Sequence, residues 1–377
     1  MKRRVLFITR NFPPLTGGME RLNFHAFEAL AACYDMALIG PEGCEPYVRE
    51  VAASGISTAS SLRHVMRCCA RALRLARQWR PDLVVAGSGV TAPPARIAAR
   101  CAGANSITLV HGLDLIYPSA LYRIGFLPAI RNSDLVIANS NNTARLARAA
   151  GVKGERIEIL HPGVSLPGDL SAVQPPRLDF DPGDRKILLA VGRLIRRKGI
   201  PAFIRHSLPR IVKERPGVMF LVAGGASEST PLKGQGVEAE IGRAVEEAGM
   251  GAHVRLLGRV TDEALRQLWS IADLHLFPVL DLPGDVEGFG MVAVEAAAHG
   301  VPTIAFAAGG VGDAVEDGVT GYLVEQRDYP AFARAVLRGL EAPGEDLRPR
   351  DCIDYAARFS WDNYGRRLQA ICERLLS

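Results

Sequence analysis

A chain of 377 residues is longer than the size at which one hydrophobic core usually keeps growing, so two domains of roughly 150 to 200 residues are expected. Hydrophobic residues at 48% and charged residues at 23% exclude the disordered, collagenous and coiled-coil classes. The formal charge of +5 is spread unevenly: residues 1–150 hold 18 Lys+Arg against 9 Asp+Glu, which leaves 27 against 31 for the remainder. The longest stretch without Asp, Glu, Lys or Arg, from Ala296 to Gly312, is broken by His299, Gly300, Pro302, Gly309 and Gly310 and predicts no membrane-crossing helix. Basic residues at the start lead straight into Val5 to Thr9, which reads as a first strand rather than a secretory signal. Seven cysteines without a C-x-x-C pair predict reduced thiols, and neither a disulfide framework nor a zinc site.

In chain order, the Val5 to Thr9 strand is followed by a glycine-containing loop and a helical pattern from Met19 to Ala31. Further strands are predicted at Met36 to Ile39, Leu83 to Ala86, Ser106 to Val110, Leu135 to Asn139 and Ile157 to Leu160, with helical patterns at 62–80, 92–102 and 141–150. Residues 166–185 combine Pro, Gly and Asp without periodicity and read as a linker between a domain of residues 1–165 and one of residues 186–358. The second series alternates in the same way: strand 186–191, helix 199–214, strand 219–223, helix 236–248, strand 254–257, helix 261–271, strand 274–277, helix 290–299, and strands 303–306 and 321–324. Residues 359–377 form a last helix that either stays with the second domain or crosses back to the first. The fold class is α/β, with two facing Rossmann-like doubly wound domains. Ligands of such sheets bind at the C-terminal ends of the strands, so a cleft between the domains is the expected site.

Two segments carry chemistry. Val191-Gly192-Arg193-Leu194, followed by Arg196, Arg197, Lys198 and Gly199, puts four cations in a strand-to-helix turn that suits a diphosphate. Arg193 and Lys198 are the favoured pair, with Arg196 and Arg197 facing water. Glu287 and Glu295 stand eight residues apart around Gly288, Phe289, Gly290 and Met291, where a helix begins; each carboxylate is placed to grip hydroxyls of an extended ligand. The alternative is a first-turn acid and a surface helix residue. Asp179-Phe-Asp181 matches a metal-diphosphate pattern but lies in the linker and reads as a turn.

VGRLIRRKG (191–199), LLGRV (256–260) and the long segment from Leu274 to Val324, in that order, resemble the retaining glycosyltransferases of family 4, whose fold is called GT-B. The resemblance is dense over 186–324 and looser over the first 165 residues. It implies that Arg193 and Lys198 meet the donor diphosphate, Glu295 the ribose and Glu287 the donor sugar. Phe289, Gly290 and Met291 lie along sugar and phosphate, Gly258, Arg259 and Val260 receive the base, and Gly17 and Gly18 offer amides to the phosphates. His111, after a predicted strand, matches a histidine near the reacting sugar; the alternative is a hydrogen-bonded histidine at a strand end. The implied reaction moves a hexosyl group from a nucleoside-diphosphate sugar to a saccharide or lipid-linked acceptor, without a metal or other cofactor.

Residues 62–80 carry Arg63, Arg67, Arg71, Arg74, Arg77 and Arg80 with no acid among them, beside an apolar face. Such a helix suits contact with an anionic membrane, and the alternative is an ordinary surface helix. Nucleic acid is disfavoured because no stacking aromatics interleave with the arginines. The expected location is cytoplasmic, peripheral on the inner face of the cell membrane. Competing functions are a sugar phosphorylase or disaccharide synthase of the same fold and a non-catalytic sugar-binding protein. A nicotinamide-dependent oxidoreductase is disfavoured because Arg10 to Met19 lacks G-x-G-x-x-G. Lys198→Ala and Glu287→Ala are expected to abolish transfer with little loss of folding.

Overall fold

The computed structural model describes residues 2–48, 51–168, 182–225, 236–341 and 346–377. Most of the predicted linker, including Asp179 and Asp181, lies outside them. The chain divides into two compact units, Met1–Gly163 with Trp361–Ser377, and Val164–Ser360.

The first unit contains β1 (Arg4–Ile8), α1 (Gly18–Ala31), β2 (Asp35–Pro41), β3 (Ala52–Ile56), α2 (Ser61–Trp79), β4 (Leu83–Ala86), α3 (Ala92–Ala102) and β5 (Asn105–Val110). It continues through the short helices α4 (Leu113–Ile116), α5 (Ala120–Gly125) and α6 (Leu127–Arg131) to β6 (Leu135–Ala138), α7 (Asn141–Ala149) and β7 (Ile157–Ile159). The strands form one parallel sheet in the order β3-β2-β1-β4-β5-β6-β7. Because side chains alternate across a strand, Val5 and Phe7 point to one face and Leu6 and Ile8 to the other, which explains an unbroken apolar run. Helices α2, α3, α6 and α7 cover the face of Leu6 and Ile8.

The other face is covered by α1 and by the last helix, Trp361–Leu376, which belongs to this unit although the whole second unit precedes it in sequence. Asn105 Nδ2 donates to the Leu375 carbonyl (2.8 Å), Gln369 Nε2 to the Ala29 carbonyl (2.6 Å), and His25 stacks on Trp361 at 4.1 Å.

In the second unit, β8 (Lys186–Val191), α8 (Ile200–His206), α9 (Leu208–Glu214), β9 (Val218–Ala223), α10 (Val237–Glu247), β10 (Val254–Gly258), α11 (Asp262–Ile271) and β11 (Leu274–Phe277) come first. Then follow α12 (Met291–Ala298), β12 (Thr303–Phe306), β13 (Gly321–Val324), α13 (Tyr329–Glu341) and α14 (Pro349–Ala357); the last helix is α15. The parallel sheet has the order β10-β9-β8-β11-β12-β13, that of a doubly wound dinucleotide fold. The predicted helix 199–214 is two helices. Pro209 has no N–H to continue a ladder, and the chain resets at Ser207, whose hydroxyl donates to the Tyr329 carbonyl (3.0 Å).

Candidate functional site

In the second sheet the strand order reverses between β8 and β11, so the loops leaving their C-terminal ends diverge and open a crevice within the unit. Of the residues expected to carry chemistry, Arg193, Lys198, Glu287, Phe289 and Gly290 fall on those two loops, 192–199 and 278–290. The loops are fastened together: the Leu280 N–H donates to the Arg197 carbonyl (2.8 Å), and Gly199, at φ +68°, lies so close to the Pro278 carbonyl that a Cβ would collide with it.

This fastening brings Lys198 and Glu287 together. Lys198 Nζ donates to Glu287 Oε2 at 3.0 Å and sits 4.4 Å from the centre of the Phe277 ring. Arg197 donates through Nη1 to the same carboxylate oxygen and through Nε to Asp285 Oδ1 (3.1 Å). Arg197 is buried, which corrects the expectation that it faces water; Arg193 and Arg196 are exposed. The turn Arg196–Lys198 is a 3₁₀ helix, whose three residues per turn send successive side chains in different directions. Only part of the cation run therefore points outward.

The electrostatics follow from this geometry. Burial alone would raise the Glu287 carboxyl, but the charges and hydrogen bonds of Lys198 and Arg197 outweigh it and hold the pKa at about 2. Burial lowers the Lys198 ammonium pKa; Glu287 opposes that shift, while Arg197 and Arg193 add to it. Burial would also lower Arg197, but Glu287 and Asp285 raise it. Beneath Lys198, buried His275 is pushed down to about 3 by burial and by the lysine charge, so it stays neutral.

Around the pair, Gly310 donates its N–H to the Glu287 carbonyl (2.9 Å), and its Cα faces the peptide of Gly288 and Phe289, where an added Cβ would lie 2.9 Å from the Phe289 Cα. Gly310→Ala is expected to cost about 1–3 kcal/mol and to displace Glu287, read as a lower melting temperature together with weaker ligand binding. Phe289 is buried, Gly290 caps α12 in a left-handed conformation (φ +97°), and Met291 opens that helix. Glu295, partly exposed, is in the second turn of α12.

Toward the other edge, three strand ends lie side by side. The Gly224 N–H donates to the Gly258 carbonyl (2.8 Å), and the Gly192 N–H to the Ala223 carbonyl (3.0 Å). Gly258 and Arg259 are exposed, Val260 is partly so, and the Arg259 side chain lies over Gly225.

In the first unit, His111 follows directly on β5. Its Nε2 lies 3.0 Å from the Gly87 carbonyl, its backbone N–H donates to Asp114 Oδ2 (3.0 Å), and Nδ1 is buried with no hydrogen-bond partner among the described residues. Burial raises the Asp114 carboxyl, against the influence of His111. Gly17 (φ +155°) precedes α1 and Gly18 is its first residue. The Glu20 carboxylate, held by Asn11 Nδ2 (2.7 Å), stands against Gly17. Glu20, Asn11, Asp114 and Asp285 belong to no motif that marks them as partners of these groups.

Two successive doubly wound parallel sheets, each with its glycine-rich loops at the switch point, define the GT-B fold of glycosyltransferases. A family model described as glycosyl transferases group 1 matches residues 179–359 and one described as glycosyltransferase family 4 matches residues 16–166. The chain belongs to the family 4 glycosyltransferases. D-inositol 3-phosphate glycosyltransferases of Mycobacterium tuberculosis and Mycobacterium bovis are 33% identical over 264 residues, 68% of this chain and 52% of theirs. The matched region thus spans about half the length of those relatives. Among solved structures, Anabaena HepE in complex with UDP has 20% identity and a TM-score of 0.79 over 98% of this chain and 100% of its own. A sucrose-phosphate synthase from Thermosynechococcus elongatus has 20% identity and a TM-score of 0.77 over 99% of both chains.

Proposed function

We propose that the chain is a retaining glycosyltransferase that moves a hexosyl group from a nucleoside-diphosphate sugar to a saccharide or lipid-linked acceptor in cell-envelope polysaccharide or glycolipid synthesis. The observation that carries this reading is the Lys198–Glu287 pair at the switch point of the second sheet. It supplies a cation for phosphate and a carboxylate for sugar hydroxyls within one hydrogen bond of each other. The row of strand ends from Gly258 through Gly224 to Gly192 supports an extended ligand, with the base at Gly258, Arg259 and Val260 and the ribose at Glu295. The HepE structure contains UDP, which favours testing uridine donors first.

In the proposed reaction the bond from the anomeric carbon to the diphosphate oxygen breaks, and negative charge grows on that oxygen. Lys198 and Arg193 carry the charge. The acceptor hydroxyl forms the new bond on the same face and gives its proton to the departing diphosphate, so the step needs no separate base, and the reading requires no metal. The first unit is assigned to the acceptor, and His111 within it to a sugar hydroxyl. Removing one such charge stabiliser typically costs 10²–10³ in rate.

The mycobacterial relatives carry the name D-inositol 3-phosphate glycosyltransferase, so a phosphorylated polyol is the first soluble acceptor to try. The arginines of α2 are assigned to anionic headgroups at the inner face of the membrane. No helix among the described residues is long and apolar enough to cross a membrane. Release of nucleoside diphosphate from UDP-, GDP- and ADP-sugars, with and without acceptor, tests the activity. Acceptor-dependent release from one donor class is expected, and none from any donor with saccharide, polyol or lipid-linked acceptors contradicts it.

A further inference from the structure

Residues 57–133 contain ten arginines, no lysine and only two acids, Asp82 and Asp114. Asp114 lies beneath His111, and Asp82 accepts from the Arg4 N–H (2.8 Å). The helices of this segment form one layer: α2 packs along α3, α3 touches α6, and α6 touches α5. Two of these helices expose large apolar side chains. Met66 on α2 is 59% exposed, and on α5 Leu121 is 72% and Ile124 76% exposed.

Helix α5 is held so that these two point outward. Ser119 accepts from the Tyr122 N–H (3.3 Å), and the Tyr122 ring stacks on Phe126 at 4.7 Å with its hydroxyl turned toward Gly89. With Tyr122 directed inward, Leu121 and Ile124, three residues apart, share the opposite side with exposed Arg123 between them.

We infer that this layer docks on an anionic lipid bilayer, with Leu121 and Ile124 inserted below the headgroups and the arginines of α2 and α5 lying among them. The inference rests on the headgroup role proposed for α2 and adds an apolar anchor on a different helix. Charge complementarity selects the occupant. A nucleic acid would satisfy the arginines but leave Leu121 and Ile124 in water, whereas a bilayer surface satisfies both.

Flotation of the full chain with vesicles of mixed phosphatidylglycerol and phosphatidylcholine tests this. Wild type is expected to float with them and not with phosphatidylcholine alone. Leu121→Ser/Ile124→Ser is expected to bind about 100-fold more weakly, on the order of tenfold per anchoring side chain, with an unchanged melting temperature. Ile124→Trp should shift its emission to the blue on adding the anionic vesicles. Arg67→Gln/Arg74→Gln/Arg77→Gln is expected to lose the salt-sensitive part of binding. Loss in the arginine variant with full binding by the serine variant would overturn the anchor and leave the headgroup role of α2 standing. Absence of vesicle binding by wild type would overturn both, whether or not sugar transfer is found. A wild-type dimer in size-exclusion chromatography that becomes a monomer in the serine variant would assign the patch to a second copy and overturn the inference.

Discussion

Glu287→Ala is expected to lower stability by about 3–5 kcal/mol, because it removes the carboxylate paired with largely buried Lys198 and leaves largely buried Arg197 with Asp285 alone. The sequence-based expectation of little folding loss therefore does not hold for this residue. The same pairing gives a pH signature. A carboxyl held at about 2 when folded and near 4.5 when unfolded leaves the unfolded chain with more bound protons between those values, so stability rises with pH there. Its contribution, about 3 kcal/mol, is present above pH 4.5 and disappears as the pH falls toward 2. Glu287→Gln keeps the shape and removes the titration. Denaturant melts from pH 6 to 2 should show a shallower acid limb for Glu287→Gln than for wild type; parallel limbs would contradict the pairing.

Lys198→Met is expected to cut transfer by 10²-fold or more at little cost in stability. The asymmetry with Glu287 follows from geometry. When the ammonium is removed Glu287 keeps Arg197, and the methionine side chain can occupy the space against the Phe277 ring. Turnover and melting temperature measured on the same preparation check this. A variant with near-normal turnover, or one that unfolds, contradicts the assignment of Lys198 to the leaving group.

Most of the fold was legible because doubly wound sheets bury their strands on both faces, so Val5 to Ile8 or Lys186 to Val191 announce themselves as apolar runs. Ala52–Ile56 escaped because an edge strand of Ala, Ala, Ser and Gly before its Ile carries little apolar signal. The short helices α4 to α6 escaped because four to six residues cannot establish a helical period.

At the site, the cation run and the two glutamates were visible as motifs, while the partner of each charge was not. Arg197 meets Asp285 and Glu287 only because the β8 and β11 loops are neighbours in space, some 90 residues apart in the chain. A usable clue was present nonetheless: Asp281, Asp285 and Glu287 place three acids in seven residues, too many for a loop meant solely for phosphate. Helix α15 likewise joins the first unit through contacts with α1 that no local pattern encodes.

Calorimetric titration with UDP, GDP and ADP tests the central claim most directly, because it asks whether the β8–β11 loops of the second unit hold a nucleoside diphosphate. One of the three is expected to bind wild type at a single site, at least tenfold more weakly to Lys198→Met, and again weakly to Arg193→Met. Equal affinity for wild type and both variants, or no binding of any of the three, would contradict it.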